Sequence, residues 1–114
     1  MEQSIYKVIG KQEWSKACSA GVFLGAAIDL QDGYIHFSTK SQVEETVAKH
    51  FAGEEDLLLI RFPSAAFGDS LKWEVSRGGD LFPHLYASLK PTLADDQWPL
   101  QTNADGTHKF PNNY

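Results

Sequence analysis

Residues 56–62 read DLLLIRF, and this run sets the arrangement that the rest of the chain has to fit. It is almost continuously apolar, it has the length of one strand, and Pro63 follows it. A strand with apolar residues at consecutive positions has apolar neighbours on both of its faces. We therefore predict a central strand that is covered on both sides.

The segment before this run contains a strand and a helix. IYKVI at 5–9 is rich in β-branched residues and predicts an opening strand. In the following stretch Trp14, Ala17 and Cys18 recur at helical spacing, and Gly21 is placed to end the helix. Cys18 is the only cysteine, and we interpret it as a small buried residue of this helix.

The segment VFLGAAIDLQDG at 22–33 is apolar but interrupted by glycine, which predicts a packed loop rather than a regular element. Asp32-Gly33 is a turn signal, and YIHFS at 34–38 then reads as a strand.

A second helix is predicted directly after that strand. Ser38, Thr39 or Ser41 can cap it, and Ser41 with Glu44 has the spacing of a capping box. The apolar residues Val43, Val47 and Phe51 fall on one face of this helix. Gly53 is placed to stop it.

The second half of the chain predicts strands with one face in the core. LKWEV at 71–75 and HLYASL at 84–89 alternate apolar and polar residues, and an Asp105-Gly106 turn predicts either a final hairpin or an arm that wraps the domain. The 114 residues fit a single domain, 1–114. The predicted fold class is α+β, with a mostly antiparallel sheet and two helices.

Composition and charge exclude some classes of function. The net charge of −5 opposes binding to long nucleic acids, although a small anionic ligand in a local basic pocket stays open. No apolar run has the length of a membrane span and the N-terminus lacks a signal pattern, so we expect a cytoplasmic protein without a membrane segment. One cysteine excludes an internal disulfide, and the histidine spacings match no metal site. The oligomeric state is left open.

Alternation sorts the side chains of the three later strands by face. The apolar sides are expected to carry Ile35 and Phe37, then Leu71, Trp73 and Val75, then Leu85, Ala87 and Leu89. The opposite sides carry Tyr34, His36 and Ser38, then Lys72 and Glu74, then His84, Tyr86 and Ser88.

Two of these polar faces each hold a histidine two residues away from a tyrosine. A solvated sheet face usually carries Lys, Glu, Thr and Arg instead, so we favour a cleft, with the solvated face as the alternative. His36 and His84 are its candidate acid–base residues, with Glu74 as a further proton carrier.

The stretch SRGGDLFPHLY at 76–86 adds an anion-binding element. Gly78 and Gly79 free the backbone to approach a ligand, and the Arg77 guanidinium matches a carboxylate or phosphate. In the alternative, Arg77 pairs with Asp80 or Glu74 and the glycines form an ordinary turn. The pattern fits neither common phosphate loop, and no G-x-S-x-G nucleophile elbow occurs.

Several separated motifs together resemble one family. They are DGYIHFS at 32–38, WEVSRGGDLFPHLY at 73–86, Glu13-Trp14, Phe51-Ala52-Gly53, and Asp105-Gly106-Thr107-His108-Lys109-Phe110-Pro111. The chain resembles the bacterial and plant family called domain of unknown function 952, over almost its whole length.

That family in turn distantly resembles the ADP-ribosyltransferase fold, which includes NAD-dependent enzymes that remove a 2′-phosphate from RNA. The resemblance implies that His36 contacts a ribose, Tyr86 lies under the nicotinamide, and Arg77 or His84 binds a phosphate. Phe37 follows His36 where that fold usually has glycine, and the last strand offers no catalytic glutamate, so the transferase chemistry stays open.

Two hypotheses follow from the sequence. The first is a cleft that binds NAD or another phosphorylated nucleotide or metabolite, and that acts, if the protein is an enzyme, as a NAD-dependent ADP-ribosyl transferase or as a phosphoryl transferase. Its cofactor-binding residues are Tyr86, Ser38, Gly78 and Gly79, and its catalytic residues are His36, Arg77, His84 and Glu74. The second is a non-catalytic interaction module with an aromatic and basic surface patch.

Overall fold

The computed structural model describes residues 3–114 apart from the side chain of Arg77. Its central strand is the one that the sequence predicts. Leu57–Pro63 forms β3, and it lies between β1 (Ser4–Gly10) and β6 (Asp96–Thr102). The short strand β7 (His108–Lys109) pairs with β6, and all of these pairings are antiparallel. The final hairpin is therefore confirmed.

Both faces of β3 are covered, as its apolar run indicates. Ile60 and Phe62 are fully buried in the main core, while Leu57 and Leu59 belong to a second core on the other face of the sheet. Burying four such side chains stabilises the fold by about 1.5–3 kcal/mol each before the entropy cost is counted. The sheet is therefore an inner layer.

A second, three-stranded antiparallel sheet packs across the main core. It contains β2 (Ile35–His36), β5 (Leu81–Leu85) and β4 (Leu71–Val75), in the order β2-β5-β4. Tyr6 of β1 and Ser38 exchange two backbone hydrogen bonds, of 2.8 and 2.9 Å, which tie the two sheets together.

The described part of the chain has three α-helices. α1 (Lys11–Ala20) packs Trp14 and Ala17 into the main core, α2 (Ala27–Asp32) precedes β2, and α3 (Lys40–His50) covers the second core with Val43 and Val47. None of these helices has the length and apolar character needed to cross a bilayer. The result is a single compact α+β domain with antiparallel sheets.

Three local predictions in the first half are wrong. The expected packed loop contains α2, because the Asp29 side chain accepts a hydrogen bond from the Ala26 N–H at 2.8 Å and so starts a helix. Thr39, one of the three candidate caps, does cap α3, but the expected capping box of Ser41 with Glu44 is wrong, because Thr39 pairs with Gln42, whose Oε1 accepts the Thr39 N–H at 3.0 Å. Cys18 is exposed, since Trp14 and Ala17 alone form the buried stripe of α1.

The predicted faces of the last two strands are wrong at one end. Trp73 and Val75 are 38% and 70% exposed, because the far end of the β4–β5 hairpin projects beyond the core that buries Leu85. The strand expected at 84–89 is β5, which begins at Leu81 and ends at Leu85. Ala87 lies outside β5 and is exposed.

Candidate functional site

The two histidines meet because β2 and β5 are neighbours in the second sheet. His36 and His84 are register partners, so their side chains leave the same face of the sheet. The ring centroids are 5.5 Å apart, with an interplanar angle of 67°. Sequence alone left the strand order open, and the structure places the two imidazoles side by side.

A buried aspartate holds His36. Asp29 is 2% exposed, and its Oδ1 lies 2.7 Å from Nδ1 of His36 and accepts the backbone N–H of His36 at 3.0 Å. Its Oδ2 accepts the N–H of Ala26. One carboxylate thus fixes both the backbone and the ring of His36.

Lys7 supplies the charge that balances Asp29. Its Nζ lies 3.1 Å from Oδ2 of Asp29 and donates to the carbonyl oxygen of His36 at 2.8 Å. Lys7 is buried because its position on β1 faces the core between Ile5 and Ile9, where the rings of Phe23 and Phe37 lie 5.8 Å from its ammonium.

This environment lowers the pKa of both Lys7 and Asp29. Burial lowers the pKa of Lys7, and the Asp29 carboxylate only partly opposes that effect. Burial alone would raise the pKa of Asp29, but the hydrogen bond with His36, the charge of Lys7 and two backbone N–H groups together lower it to about 2. Asp29 is therefore ionised at neutral pH and acts as a hydrogen-bond acceptor.

The other ring nitrogen of His36 faces a more accessible acid. Nε2 lies 3.0 Å from Oδ2 of Asp32, and the two side chains are 30% and 37% exposed. Asp32 is the last residue of α2, one turn after Asp29. The solvent side of His36 is thus its Nε2 side.

His84 has a carboxylate of its own. Its Nδ1 lies 2.8 Å from Oε1 of Glu74, and the Tyr86 hydroxyl donates to the same oxygen at 2.7 Å. The bonds from Tyr86 and His84 lower the pKa of Glu74, and the bond to Glu74 raises the pKa of Tyr86 to about 12. Tyr86 therefore stays protonated and Glu74 ionised at neutral pH.

Tyr34 lies at the centre of the group. Its ring stacks on His84 with centroids 4.1 Å apart, and it lies 4.6 Å from His36 and 5.3 Å from Tyr86. Burial and the nearby charges of Asp32 and Glu74 raise its pKa. We refer to the five residues that converge here as the histidine cluster: Tyr34, His36, Glu74, His84 and Tyr86.

The remaining predicted site residues lie elsewhere. Ser38 is buried, and its hydroxyl is 3.0 Å from that of Thr46 on α3. Gly78 and Gly79 have φ of 70° and 82°, as their role in a tight turn requires, but this turn is the tip of the β4–β5 hairpin. The Arg77 side chain, to which we assigned phosphate binding, lies outside the described part of the structure.

The hairpin tip borders a different hollow from the one beside the cluster. Gly78 lines a hollow of about 480 Å³ next to the start of α3, and neither histidine lines it. A smaller hollow of about 250 Å³ is lined by Asp29 and Tyr34, together with Leu30 and Leu85. The predicted site is thus divided, and the histidine cluster is its chemically richer part.

Sequence reasoning missed the roles of three residues of the site. Lys7 and Asp29 were not recognised as partners of His36, and Tyr34 was placed on the polar face but not recognised as the central ring. Lys7 occupies a core-facing position of a strand, between Ile5 and Ile9, and Asp29 interrupts an apolar run. Charges in such positions are buried only when they are paired, so each was a signal of a partner elsewhere.

The arrangement has two imidazoles, each held at Nδ1 by a carboxylate, and of these His36 is partly exposed whereas His84 is buried beside the exposed Tyr86 phenol and the Glu74 carboxylate. Such groups can orient hydroxyls, stack on a ring and move a proton. Within residues 3–114, no group of three or more His, Cys, Asp and Glu side chains is arranged to hold a metal ion.

Comparisons with known proteins show a family and two similar solved structures. Residues 8–94 match the family model described as "Protein of unknown function (DUF952)". The crystal structure of protein CC0527 from Caulobacter crescentus is 42% identical with a TM-score of 0.90, and the match covers 93% of each chain. The solution structure of CC0527 gives 44% identity and a TM-score of 0.81, covering 90% of this chain and 89% of that one. No curated protein matches this sequence.

Proposed function

Because the chain belongs to the DUF952 family of proteins of unknown function, its role has to be inferred from its site, and we propose that the histidine cluster binds NAD⁺ through its nicotinamide riboside end. The observation that carries the proposal is the convergence of two carboxylate-held imidazoles with two tyrosine rings: the centroids of His36, His84 and Tyr86 lie 4.1–5.3 Å from that of Tyr34.

The charges of the cluster favour a cationic ring over a phosphate. The side chain of Glu74 is 42% exposed, Tyr86 is 46% exposed, and Asp32 completes an acidic and aromatic rim. A positively charged aromatic ring is attracted both by a carboxylate and by the face of a tyrosine. The oxidised nicotinamide ring has that charge, whereas the reduced ring is neutral.

The imidazoles suit the ribose. A hydroxyl donates and accepts hydrogen bonds, so it can pair with an imidazole nitrogen in either protonation state. His36 is the candidate for this contact, as the family resemblance implies, and His84 with Glu74 is the candidate for moving a proton.

The phosphates need positive charge outside the cluster. Lys72 is exposed and is the register partner of His84 on β4, so it lies on the same face of the sheet as the imidazole. We propose Lys72 for the phosphates, together with Arg77, whose guanidinium suits a phosphate.

The wider proposal is that the two antiparallel sheets form an ADP-ribosyltransferase-like split, and that the protein acts in the cytoplasm as a transferase on a phosphorylated nucleotide. When bound, NAD⁺ supplies the ADP-ribosyl group of such a reaction. The chain's own contribution is to hold the ribose, to stack on the ring and to manage one proton.

Calorimetric titration with NAD⁺, NADH and ADP-ribose tests this proposal. We expect NAD⁺ to bind about two- to fivefold more tightly than NADH, because an exposed cation beside a tyrosine and a carboxylate gains about 0.5–1 kcal/mol. Glu74→Gln should reduce that preference, while Glu55→Gln, an exposed acid in the loop before β3, should leave it unchanged. Absence of heat with millimolar NAD⁺, or equal affinity for NADH, would contradict the proposal.

An interaction module is the second candidate, and a different surface favours it. Trp73, Val75 and Leu81 lie on one face of the projecting β4–β5 hairpin, with exposures of 38%, 70% and 51%. Exposed apolar groups on one face are typical of protein interfaces. Light scattering of the wild type and of Val75→Lys tests it: a drop in mass for the variant supports an interface between copies, and a monomeric wild type counts against it.

A further inference from the structure

The contacts of His36 differ between its two ring nitrogens. Nδ1 is 2.7 Å from a carboxylate that is buried and held by three other groups, while Nε2 is 3.0 Å from a carboxylate that is more than one third exposed. The first contact is fixed by the fold. The second can open, because Asp32 ends α2 and its side chain reaches water.

Asp29 can only accept a hydrogen bond from His36. Its Oδ1 already accepts the His36 backbone N–H, and its Oδ2 faces the Ala26 N–H and the Lys7 ammonium. An ionised carboxylate has no proton to donate, so Nδ1 of His36 must carry one. A neutral His36 then has its lone pair on Nε2.

We propose that Asp29 is the positioning residue of the site, which fixes neutral His36 as the Nδ1–H tautomer and makes Nε2 the nitrogen that meets the ligand. The inference rests on the proposed function only for the identity of that ligand. It holds for the ring of His36 whether or not NAD⁺ binds.

We infer that the Asp32 oxygen beside Nε2 occupies the position that a ligand oxygen takes when the ligand binds. The Asp32 oxygen 3.0 Å from Nε2 accepts a hydrogen bond from the ring only when Nε2 carries a proton, and it is repelled by the Nε2 lone pair of the neutral Nδ1–H tautomer. A ribose hydroxyl satisfies both states, since it accepts from Nε2–H and donates to the lone pair. The charged and titratable groups that face His36 are Lys7, Asp29, Asp32, Tyr34 and His84.

The experiment is ¹⁵N NMR of the imidazole nitrogens in the ligand-free protein at a pH where the rings are neutral. We expect His36 to show a protonated Nδ1 and an unprotonated Nε2. His50, exposed at the end of α3, serves as the internal reference for a ring without a fixed tautomer. A wild-type His36 with its proton on Nε2 overturns the proposal, even if no variant folds.

Two matched variants separate positioning from simple support of the fold. Asp29→Ala removes the partner of Nδ1, and Asp32→Ala removes the partner of Nε2 on the same ring. We expect Asp29→Ala to move the proton of neutral His36 toward Nε2, where Asp32 accepts it at 3.0 Å, and to weaken NAD⁺ binding about tenfold. Asp32→Ala should keep the Nδ1–H tautomer. If Asp29→Ala folds and keeps that tautomer as well, Asp29 does not position the ring.

The two proposals fail in different ways. If NAD⁺ gives no heat but His36 shows the Nδ1–H tautomer, the proposed ligand is wrong and the role of Asp29 stands. If NAD⁺ binds but the proton lies on Nε2, the ligand stands and the positioning role is overturned.

Discussion

Replacing Asp29 with Asn should destabilise the protein by about 3 kcal/mol at neutral pH, because removal of one partner from a buried ion pair leaves the other charge unpaired. The substitution keeps the shape of the side chain and removes the charge that faces Lys7 at 3.1 Å. Lys7 is only 7% exposed, so water cannot replace the lost carboxylate.

The titration of Asp29 gives a second measure of the same interaction. Its pKa is about 2 in the folded chain against a reference of 3.8, and such a difference corresponds to about 2 kcal/mol. Because the folded pKa is the lower one, this stabilisation is complete above about pH 4 and is lost as the pH falls through about 2. The Asn variant has no carboxyl at this position, so it should lack this part of the acid dependence.

Urea unfolding followed by tryptophan fluorescence measures both effects, since Trp14 is buried in the main core. In a double-mutant cycle with Lys7→Met, we expect a coupling of about 2 kcal/mol, because the second substitution removes the unpaired ammonium. The exposed pair of Glu45 and Lys49, 3.6 Å apart, is the control and should couple by about 0.5 kcal/mol or less. Additive effects of Asp29→Asn and Lys7→Met would refute the reasoning.

Three further substitutions test other parts of the structure. Glu74→Gln should lower the pKa of Tyr86 from about 12 toward 10, measured by ultraviolet titration; an unchanged value would mean that the hydrogen bond to Glu74 is absent in solution. Ile60→Ala should cost about 2–5 kcal/mol in urea unfolding, since Ile60 is fully buried on the central strand, and a loss below 1 kcal/mol would contradict that burial. Val75→Lys should change the stability of the monomer by about 0.5 kcal/mol or less, and a larger loss would show that the hairpin tip packs against the domain.

The elements that sequence predicted well depend on local patterns. DLLLIRF is apolar at successive positions, and the residues that bury in α3 recur every four positions, so β3 and α3 could be read without knowing their neighbours. Gly33 has positive φ, as its turn signal indicates, whereas Gly53, which was expected to stop α3, has positive φ but lies beyond the end of the helix, which is capped at Phe51. Periodicity is a property of the chain itself, and it survives in any tertiary arrangement.

The errors occur where burial depends on distant elements. Trp73 and Val75 alternate with polar residues just as core residues do, but the hairpin extends past the layer that would cover them. Cys18 has the right spacing for the buried stripe of α1, yet nothing packs over it. Alternation reports which residues share a face, and it does not report whether that face is covered.

The site was predictable only in part for the same reason. Alternation placed His36 and His84 on polar faces, and the pairing of β2 with β5 then brought them together. Asp29 and Lys7 are 22 positions apart in sequence, so no local pattern predicted that they pair with each other. The sequence did show a charge inside an apolar strand or run at each position, which indicates that each charge has a partner. The roles assigned to His36, His84, Glu74 and Tyr86 stay predictions.

The brevity of β2 has a consequence for how the protein moves. A strand of two residues forms few backbone hydrogen bonds with its neighbour. The position of the His36 backbone therefore depends mainly on its hydrogen bonds with the side chains of Asp29 and Lys7. We therefore expect β2 to open and close as a small cooperative unit while the sheet around β3 stays intact. Amide exchange at His36 would then report on the pairing of two side chains, and a ligand that captures this edge would slow that exchange without changing the global melting of the domain.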